Sequence, residues 1–321
     1  MITPRKILIG LTLLAVLLLP LAGNTYSMII VTRAMIYGML AMSLDLLLGY
    51  TGLISFGHAA FFGCGAYAVA ILMLSGVMSG FIAFPVAIIA AAAAAAVVGA
   101  LSLRTRGIYF IMITLAFAQM FYFLAVGQQN LGGDDGTSMP GRNDLGGLLD
   151  LSKPSQFYFF TLSLLIAVTF VCRRIIDSRF GLVLEACRQN ETRLLAVGVS
   201  TYRYKLAVFV IAGGIAGLAG ALMTNLQAYV SPNLLDWRIS GIIIMMIVMG
   251  GVGTLYGSLC GAAAYILLEA VITPYTTHWM AVLGPLLVFT ALFWRRGIWG
   301  ILTASSQVQD TVPQKTSQDV K

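Results

Sequence analysis

The polar stretch that interrupts this apolar chain reads Leu182-Val183-Leu184-Glu185-Ala186-Cys187-Arg188-Gln189-Asn190-Glu191-Thr192-Arg193-Leu194-Leu195-Ala196-Val197-Gly198. It contains no proline and ends on a glycine, which is typical of a helix that stops at a C′ glycine. Glu185 and Gln189, and likewise Gln189 and Arg193, stand four residues apart and would support neighbouring turns. The apolar residues that fall loosely on one side of such a helix are Leu184, Cys187, Leu194, Leu195 and Val197. The stretch therefore predicts one amphipathic helix between two membrane spans.

The composition on both sides of this stretch excludes a soluble protein. The chain is 59% hydrophobic and 10% charged, whereas soluble globular domains carry about 25% charged residues. Its mean hydropathy is +0.92. Successive apolar runs long enough to cross a bilayer predict an all-α, polytopic integral membrane helical bundle. The four cysteines are widely spaced and indicate neither a metal site nor a disulfide framework.

The apolar runs predict about ten transmembrane helices. The predicted spans are 7–23, 27–49, 53–78, 81–103, 108–127, 157–176, 206–229, 239–249, a span that ends near 272, and 279–294. The regions 53–78 and 250–272 could instead be re-entrant, which would leave eight crossings. The first run also has the features of a signal peptide, but we expect an uncleaved anchor. Together these spans form a single transmembrane domain, 1–302, and we expect the polar tail 303–321 to be disordered.

The basic residues predict the orientation of the spans. With both termini in the cytoplasm, fifteen of the 19 lysines and arginines lie inside and only Arg33, Arg142, Lys153 and Arg238 lie outside. Such an asymmetry is the usual mark of the cytoplasmic side. It puts residues 177–205, here called the coupling segment, in the cytoplasm and the loop 128–156 in the periplasm. The net charge of +7 therefore reports orientation, and we expect no nucleic-acid partner.

A spaced set of residues in the coupling segment resembles a known family. Glu-Ala at 185–186, Asn-Glu-x-Arg at 190–193, Gly198 and Lys-Leu-Ala-Val-Phe at 205–209 resemble the cytoplasmic coupling loop of ABC-transporter permeases. More narrowly, they resemble the LivM-like half of the branched-chain amino acid permease family. The resemblance also covers 37–67, 104–119, 185–221 and 249–261. The ATPase contacts that it implies are Glu185, Ala186, Asn190, Glu191, Arg193, Gly198 and Lys205.

The resemblance implies a permease subunit of an importer in the bacterial inner membrane, not an enzyme. Its implied substrates are branched-chain or related hydrophobic amino acids. Its implied partners are a homologous permease, two cytoplasmic ATPases, a periplasmic binding protein and membrane lipid. ATP would bind the ATPase partner, since the chain contains no Gly-Lys-Ser/Thr sequence. No cofactor or metal of its own is expected.

Two alternative functions stay open at this point. Permeases of the same family also serve urea, short amides or other amino acids. A different class is an ion-coupled secondary transporter or channel that uses Asp45 or Glu269, because ionisable residues inside a bilayer are costly and often functional. Both acids also lie near predicted span ends, where headgroups or a capping amide could hold them.

Two glycine-rich turns contain most candidates for the translocation path. Gly49-x-x-Gly52 and Gly250-x-x-Gly253 are each followed by a further glycine and an Ala-Tyr pair, which indicates either a weak internal repeat or chance. Irregular backbone is tolerated inside a membrane where protein or a water-filled path surrounds it. The candidate residues are Ser55, Gly57, His58, Asp45, Glu269, Gly250 and Gly253. For His58, a hydrogen-bonded packing role is the alternative.

Small residues recur at every fourth position in the span after the coupling segment. Gly213, Gly217 and Ala221 stand at i, i+4 and i+8. Such spacing lets two helix backbones approach closely. We expect them to pack a helix of this chain, or one of a sister permease. The alanine run 90–96 indicates close packing as well.

Overall fold

The computed structural model describes residues 25–146, 150–276, 278, 284–285 and 297–304. Its α-helices are α1 (Thr25–Thr51), α2 (His58–Leu74), α3 (Gly80–Ser102), α4 (Ile108–Val126), α5 (Pro154–Ile176), α6 (Arg179–Gln189), α7 (Glu191–Ala196), α8 (Thr201–Gln227), α9 (Trp237–Gly250), α10 (Leu255–Ile272) and α11 (Gly297–Ala304). Two-residue strands β1 (Thr137–Ser138) and β2 (Tyr229–Val230) pair antiparallel. Single 3-10 turns are Gln129–Leu131, Gly133–Asp135 and Pro232–Leu235.

The described helices agree with an all-α membrane protein. Helices α1, α3, α4, α5, α8 and α10 are long and apolar enough to cross a membrane, whereas α2 and α9 are shorter apolar helices. The predicted spans 7–23 and, apart from 284–285, 279–294 lie outside the described residues, as does 305–321 of the tail. Bounds agree with the predicted spans to within a few residues in α3, α4 and α5. Helix α8 begins earlier than predicted, so Lys205 lies in its second turn.

Helices α1 and α8 form the centre of the bundle. Both are mostly buried, whereas α4 and α5 are mostly exposed on this chain. Helix α8 packs closely on α3 because small residues face each other. A Cβ atom built on Gly217 would overlap the Cβ of Ala91 and lie 2.8 Å from the carbonyl oxygen of Ala87. Gly213 faces Ala95 in the same way, and Ala221 is fully buried. These three positions therefore pack inside this chain.

The predicted span 53–78 is wrong at its start, because residues 52–57 are not helical. Gly52 has a φ of +74°, which ends α1 locally. The backbone N–H of Phe56 donates to Thr114 Oγ1 at 3.3 Å, and that of Ala59 donates to Ser240 Oγ at 2.9 Å. Hydroxyl groups from α4 and α9 thus replace the hydrogen bonds that a helix would supply, as buried irregular backbone requires.

The part of the loop 128–156 that the structure describes lies against α8 and makes specific buried contacts with it. The side chains of Asn143 and Asn225 are both buried. Asn225 Oδ1 accepts from the backbone N–H of Asn143 at 2.8 Å, and its Nδ2 donates to Asn143 Oδ1 at 2.9 Å. Asn143 Nδ2 also donates to the carbonyl of Met78 at 3.2 Å. One buried amide pair therefore fastens this loop to α8 and to the connection between α2 and α3.

Candidate functional site at the coupling segment

The coupling segment is two helices, so the prediction of one helix over 182–198 is wrong. The break is at Asn190, whose backbone is extended (φ −160°, ψ 97°). Its Oδ1 accepts from the N–H of Arg193 at 3.0 Å and caps α7. Gln189 and Arg193 consequently lie on different helices and do not form the predicted pair. An asparagine side chain competes for backbone hydrogen bonds in this way, which disfavours it inside a helix.

The predicted C′ glycine is confirmed at the end of α7. Gly198 has a φ of +85°. Its N–H donates to the carbonyl of Leu195 at 3.0 Å, and the N–H of Val199 donates to that of Leu194 at 3.1 Å. These two bonds are the pattern of a helix closed by a glycine in the left-handed region. The segment therefore ends in a fixed turn before α8.

Of the apolar residues predicted on one side of the segment, those on α6 are buried against the bundle and those at the end of α7 are exposed. Leu184 and Cys187 are 1% and 5% exposed, but Leu195 and Val197 are 45% and 77% exposed. The prediction that these residues fall on one side of a single helix is thus wrong, because the extended backbone at Asn190 separates α7 from α6. Helix α6 is the part of the segment that packs on the bundle.

Helix α7 is held by a network around Glu191. Lys205 Nζ lies 2.8 Å from Glu191 Oε1, and Thr201 Oγ1 donates to the same oxygen at 2.9 Å. Arg106 Nε lies 3.8 Å from Glu191 Oε2. Burial alone would raise the pKa of Glu191, but the hydrogen bonds from Lys205 and Thr201 outweigh it and lower the pKa. Glu191 and Lys205, both predicted as ATPase contacts, are therefore bound to each other within this chain.

The other predicted contacts lie at or near the surface of this chain. Glu185, Asn190, Arg193 and Gly198 are exposed, and Ala186 is half-buried. The exposed acid and base lie on different helices, Glu185 on α6 and Arg193 on α7. The surface of the segment thus carries charges of both signs, while Glu191 and Lys205 bind each other within the chain.

Arg188 connects the segment to the glycine-rich turns, a role that sequence reasoning missed. Its Nη1 donates to the carbonyl oxygen of Gly49. It also lies 3.3 Å from the position of a Cβ on Gly253. The N–H of Gly253 donates to Asp45 Oδ1 at 2.9 Å, and Asp45 is fully buried. We call Asp45, Gly49, Arg188 and Gly253 the glycine junction. The similar glycine spacing of the two turns indicated a weak repeat or chance, and nothing in it indicates their contact or the role of Arg188.

A pocket of about 290 Å³ opens beside the glycine junction. Aromatic and charged side chains share its wall, and the ring of Tyr256 stacks on that of Trp299 with centroids 5.6 Å apart. Arg173 Nη1 donates to the hydroxyl of Tyr256 at 3.2 Å. The lining residues are Tyr50, Arg173, Ile176, Asp177, Gly253, Thr254, Leu255, Tyr256 and Trp299.

The candidates for the translocation path fall into separate places. Ser55, Gly57 and His58 come together at the irregular segment, where Ser43 Oγ and His58 Nε2 are 2.7 Å apart. Since Ser43 is eight residues before the end of α1, His58 lies about 12 Å inside the bundle from that end. A Cβ on Gly57 would lie 2.9 Å from the carbonyl oxygen of Thr114. This group is therefore tightly packed.

The remaining path candidates lie at two ends of α1. Asp45 and Gly253 belong to the glycine junction, and Gly250 packs against Gly261 nearby. Glu269 instead lies 3.0 Å from Arg33 Nη2. Arg33 and Asp45 are twelve positions apart, or about 18 Å along α1, so Glu269 beside Arg33 lies far from Asp45. Asp45 accepts a hydrogen bond from a backbone N–H, as in the alternative in which an amide near the end of the span holds this residue.

Comparisons with known proteins agree on one family. A family model described as "Branched-chain amino acid transport system / permease component" matches residues 26–291. The high-affinity branched-chain amino acid transport system permease protein LivM of Escherichia coli (strain K12) is 28% identical over 83% of this chain and 68% of its own length. LivH of the same strain is 22% identical over 87% of this chain and 92% of its own length. A probable LivM permease of Methanocaldococcus jannaschii is 23% identical over 78% and 82%. No solved structure matches the chain.

Proposed function

The chain belongs to the family of permease components of branched-chain amino acid transport systems, and we propose that it forms part of the translocation path of an ABC importer. Separate ATPase subunits bind the coupling segment from the cytoplasm and hydrolyse ATP there. A homologous permease completes the path, and a periplasmic binding protein delivers the substrate. Closure of the ATPase pair moves the segment and reorients the bundle, so that access alternates between the two sides of the inner membrane.

The observation that carries this proposal is the surface of the coupling segment. Glu185 and Arg193 are exposed on this chain, while Leu184 and Arg188 attach the same segment to the bundle. The segment can thus bind a partner on one side and move helices on the other. The sequence has no phosphate-binding Gly-Lys-Ser/Thr of its own, so ATP must be bound by another chain.

The proposed substrates are branched-chain or related hydrophobic amino acids. The relatives LivM and LivH, which are permease proteins of a branched-chain amino acid transport system, support this class. Urea, short amides and other amino acids are the alternatives within such permeases. Titration of the cognate binding protein with leucine, isoleucine, valine and urea decides among them, because that component selects the substrate in such importers. Tight binding of urea but of none of the three amino acids would overturn the substrate assignment.

Charge reversal in the coupling segment tests the ATPase partner. We expect Glu185→Arg and Arg193→Glu to lower ATP-driven uptake by about tenfold or more, since a rim or interface charge of the wrong sign opposes docking. The ATPase subunits should also co-purify less with the variant permease. Lys153→Glu is the matched control for Arg193→Glu. Lys153 is an exposed base at the opposite end of α5, and its reversal should leave uptake unchanged.

The same experiment separates the proposal from an ion-coupled transporter. In that class, uptake would continue in the Glu185 and Arg193 variants, and it would stop when Asp45 or Glu269 becomes uncharged. Here Asp45→Asn should retain uptake, because the amide oxygen of asparagine can accept from Gly253 as the carboxylate does. Full uptake by both reversal variants, with loss in Asp45→Asn, would contradict the proposal.

A further inference from the structure

Arg188 differs from the other polar side chains of α6 in what it contacts. Glu185, Arg188 and Gln189 are all exposed on this chain. The guanidinium of Arg188 nevertheless donates to the carbonyl of Gly49. Its Cγ lies 3.5 Å from the position of a Cβ on Gly52, and its Nη1 lies 3.3 Å from that on Gly253. One side chain of the coupling segment thus reaches both glycine-rich turns.

The end of α1 is chemically suited to hold this arginine. Gly49 is among the last four residues of α1, whose carbonyl groups lack partners within the helix. The end of the helix dipole favours a cation at this place. A guanidinium has several donors in a fixed plane, so it can contact two neighbouring backbone segments at once. The contact therefore has a specific acceptor and is not a chance approach of two surfaces.

The two turns that Arg188 contacts are packed with little space between them. A Cβ on Gly49 would lie 2.5 Å from the Cα of Gly253 and 2.6 Å from its nitrogen. The bond from Gly253 N–H to Asp45 Oδ1 fixes the same contact from the side of α1. Close packing transmits displacement because there is no void to absorb it. A movement of Arg188 must therefore move the end of α1 and the start of α10 together.

Helices α1 and α10 are also joined far from the glycine junction. Arg33 near the start of α1 pairs with Glu269 near the end of α10. Between these points, Gly38 packs directly against Leu259. The two antiparallel helices are thus fastened at both ends and along their length. α1, with 27 residues, is about 40 Å long, so it can convey a shift at one face of the bundle to the other.

We propose that Arg188 is the positioning residue through which movement of the coupling segment reaches α1 and α10. This inference rests on the proposed function, since it needs an ATPase that moves the segment. Asp45 then serves to fix the Gly253 turn to α1. The guanidinium of Arg188 acts through the bundle and does not contact substrate.

The test uses the assembled importer with its ATPases and binding protein in proteoliposomes. Two quantities are measured: the amount of ATPase bound to the permease, and the substrate taken up per ATP hydrolysed. In Arg188→Ala we expect normal ATPase binding and an uptake per ATP that is about tenfold lower, since charge-assisted hydrogen bonds are lost. Arg188→Lys should recover part of the uptake per ATP, because an ammonium can still donate to the carbonyl of Gly49. Arg174→Ala, at an exposed arginine at the same end of α5 as the segment, should match the wild type.

Each outcome decides for or against the inference. Unchanged uptake per ATP in Arg188→Ala overturns it. Loss of bound ATPase in this variant also overturns it, because Arg188 would then be a docking contact. Should the alanine variant not fold, Arg188→Gln and Arg188→Lys carry the test, and wild-type uptake per ATP in both overturns it. A failure of the proposed function can be told apart from a failure of this inference. In the first case, uptake in Glu185→Arg and Arg193→Glu would equal that of the wild type.

Discussion

The loop 128–156 and the coupling segment are both polar connections of about thirty residues, at opposite ends of α5, yet they are attached to the bundle differently. The loop is fastened by a pair of fully buried amides, Asn143 and Asn225, to the central helix α8. The coupling segment is attached by the buried Leu184, by the Glu191–Lys205 pair, whose side chains are 22% and 12% exposed, and by the guanidinium of Arg188. Buried hydrogen bonds are costly to break, whereas an ion pair that solvent can reach is weaker.

The proposed function assigns movement to the second of these connections. A buried polar pair with both partners satisfied fixes one arrangement, because any displacement leaves groups without partners in a dry interior. The coupling segment carries more exposed charges, and under the proposed function it shifts and passes its movement on through Arg188. In this proposal α8 and the part of the loop that the structure describes are the fixed part of the molecule, and the coupling segment is the adjustable part.

The largest expected effect concerns the fixed part, at the contact of α8 with α3. Gly217→Ala puts a Cβ into Ala91 and within 2.8 Å of the carbonyl oxygen of Ala87, so we expect a loss of about 3 kcal/mol of stability from overpacking. Gly214→Ala is the matched control on the same helix, because its Cβ would make only an ordinary 3.4 Å contact with Ile88. Thermal denaturation in detergent compares the two. Equal melting temperatures would show that α8 is not the rigid centre.

The next effect separates the two connections directly. Asn225→Ala removes both hydrogen bonds that Asn143 makes to α8 in a buried place, and we expect a loss of about 2 kcal/mol. Asn233→Ala, at an exposed asparagine beyond α8, should cost little. Denaturation of the two variants, with limited proteolysis within 128–156, provides the measurement. A stable, protease-resistant loop in the Asn225 variant would remove the distinction between the fixed and adjustable parts.

The smallest effect concerns the ion pair of the coupling segment. Glu191→Gln should lower stability by less than about 1 kcal/mol at pH 7, because solvent screens this pair in part. The folded state lowers the pKa of Glu191 below its ordinary 4.5. The stabilisation is therefore complete above that value and is lost as the pH falls through the lowered pKa.

A pH series tests the direction of this pH dependence. The difference in stability between wild type and Glu191→Gln should stay constant from pH 7 to about 5 and shrink below 4.5. Glu185→Gln is the control, since Glu185 is an exposed acid on the neighbouring helix α6. A difference that grows as the pH falls would contradict the assigned role of Glu191.

Much of the fold could be predicted from the sequence because membrane helices are apolar over a fixed length. The runs that became α3, α4 and α5 are bounded by glycine, proline or basic residues, which local rules recognise. The segment 52–57 was not predicted as irregular, since its hydrogen-bond partners Thr114 and Ser240 lie far away in sequence. Distant partners leave no local pattern.

The candidate site shows the same limit at the level of side chains. The turn at Gly198 follows from the conformational freedom of glycine and could be predicted. The break at Asn190 depends on one capping hydrogen bond in competition with a helix, which propensity alone decides poorly. The contact of Arg188 with Gly49 could not be predicted, because a long flexible side chain on an amphipathic helix reaches in many directions.

The most direct measurement of the central claim is uphill uptake in proteoliposomes with and without the ATPase subunits. The permease pair and the loaded binding protein are kept constant, and ATP, a proton gradient or a sodium gradient is supplied. We expect the substrate to accumulate only when the ATPase subunits are present and ATP is hydrolysed. Accumulation by the permeases alone, driven by either ion gradient, would contradict the account.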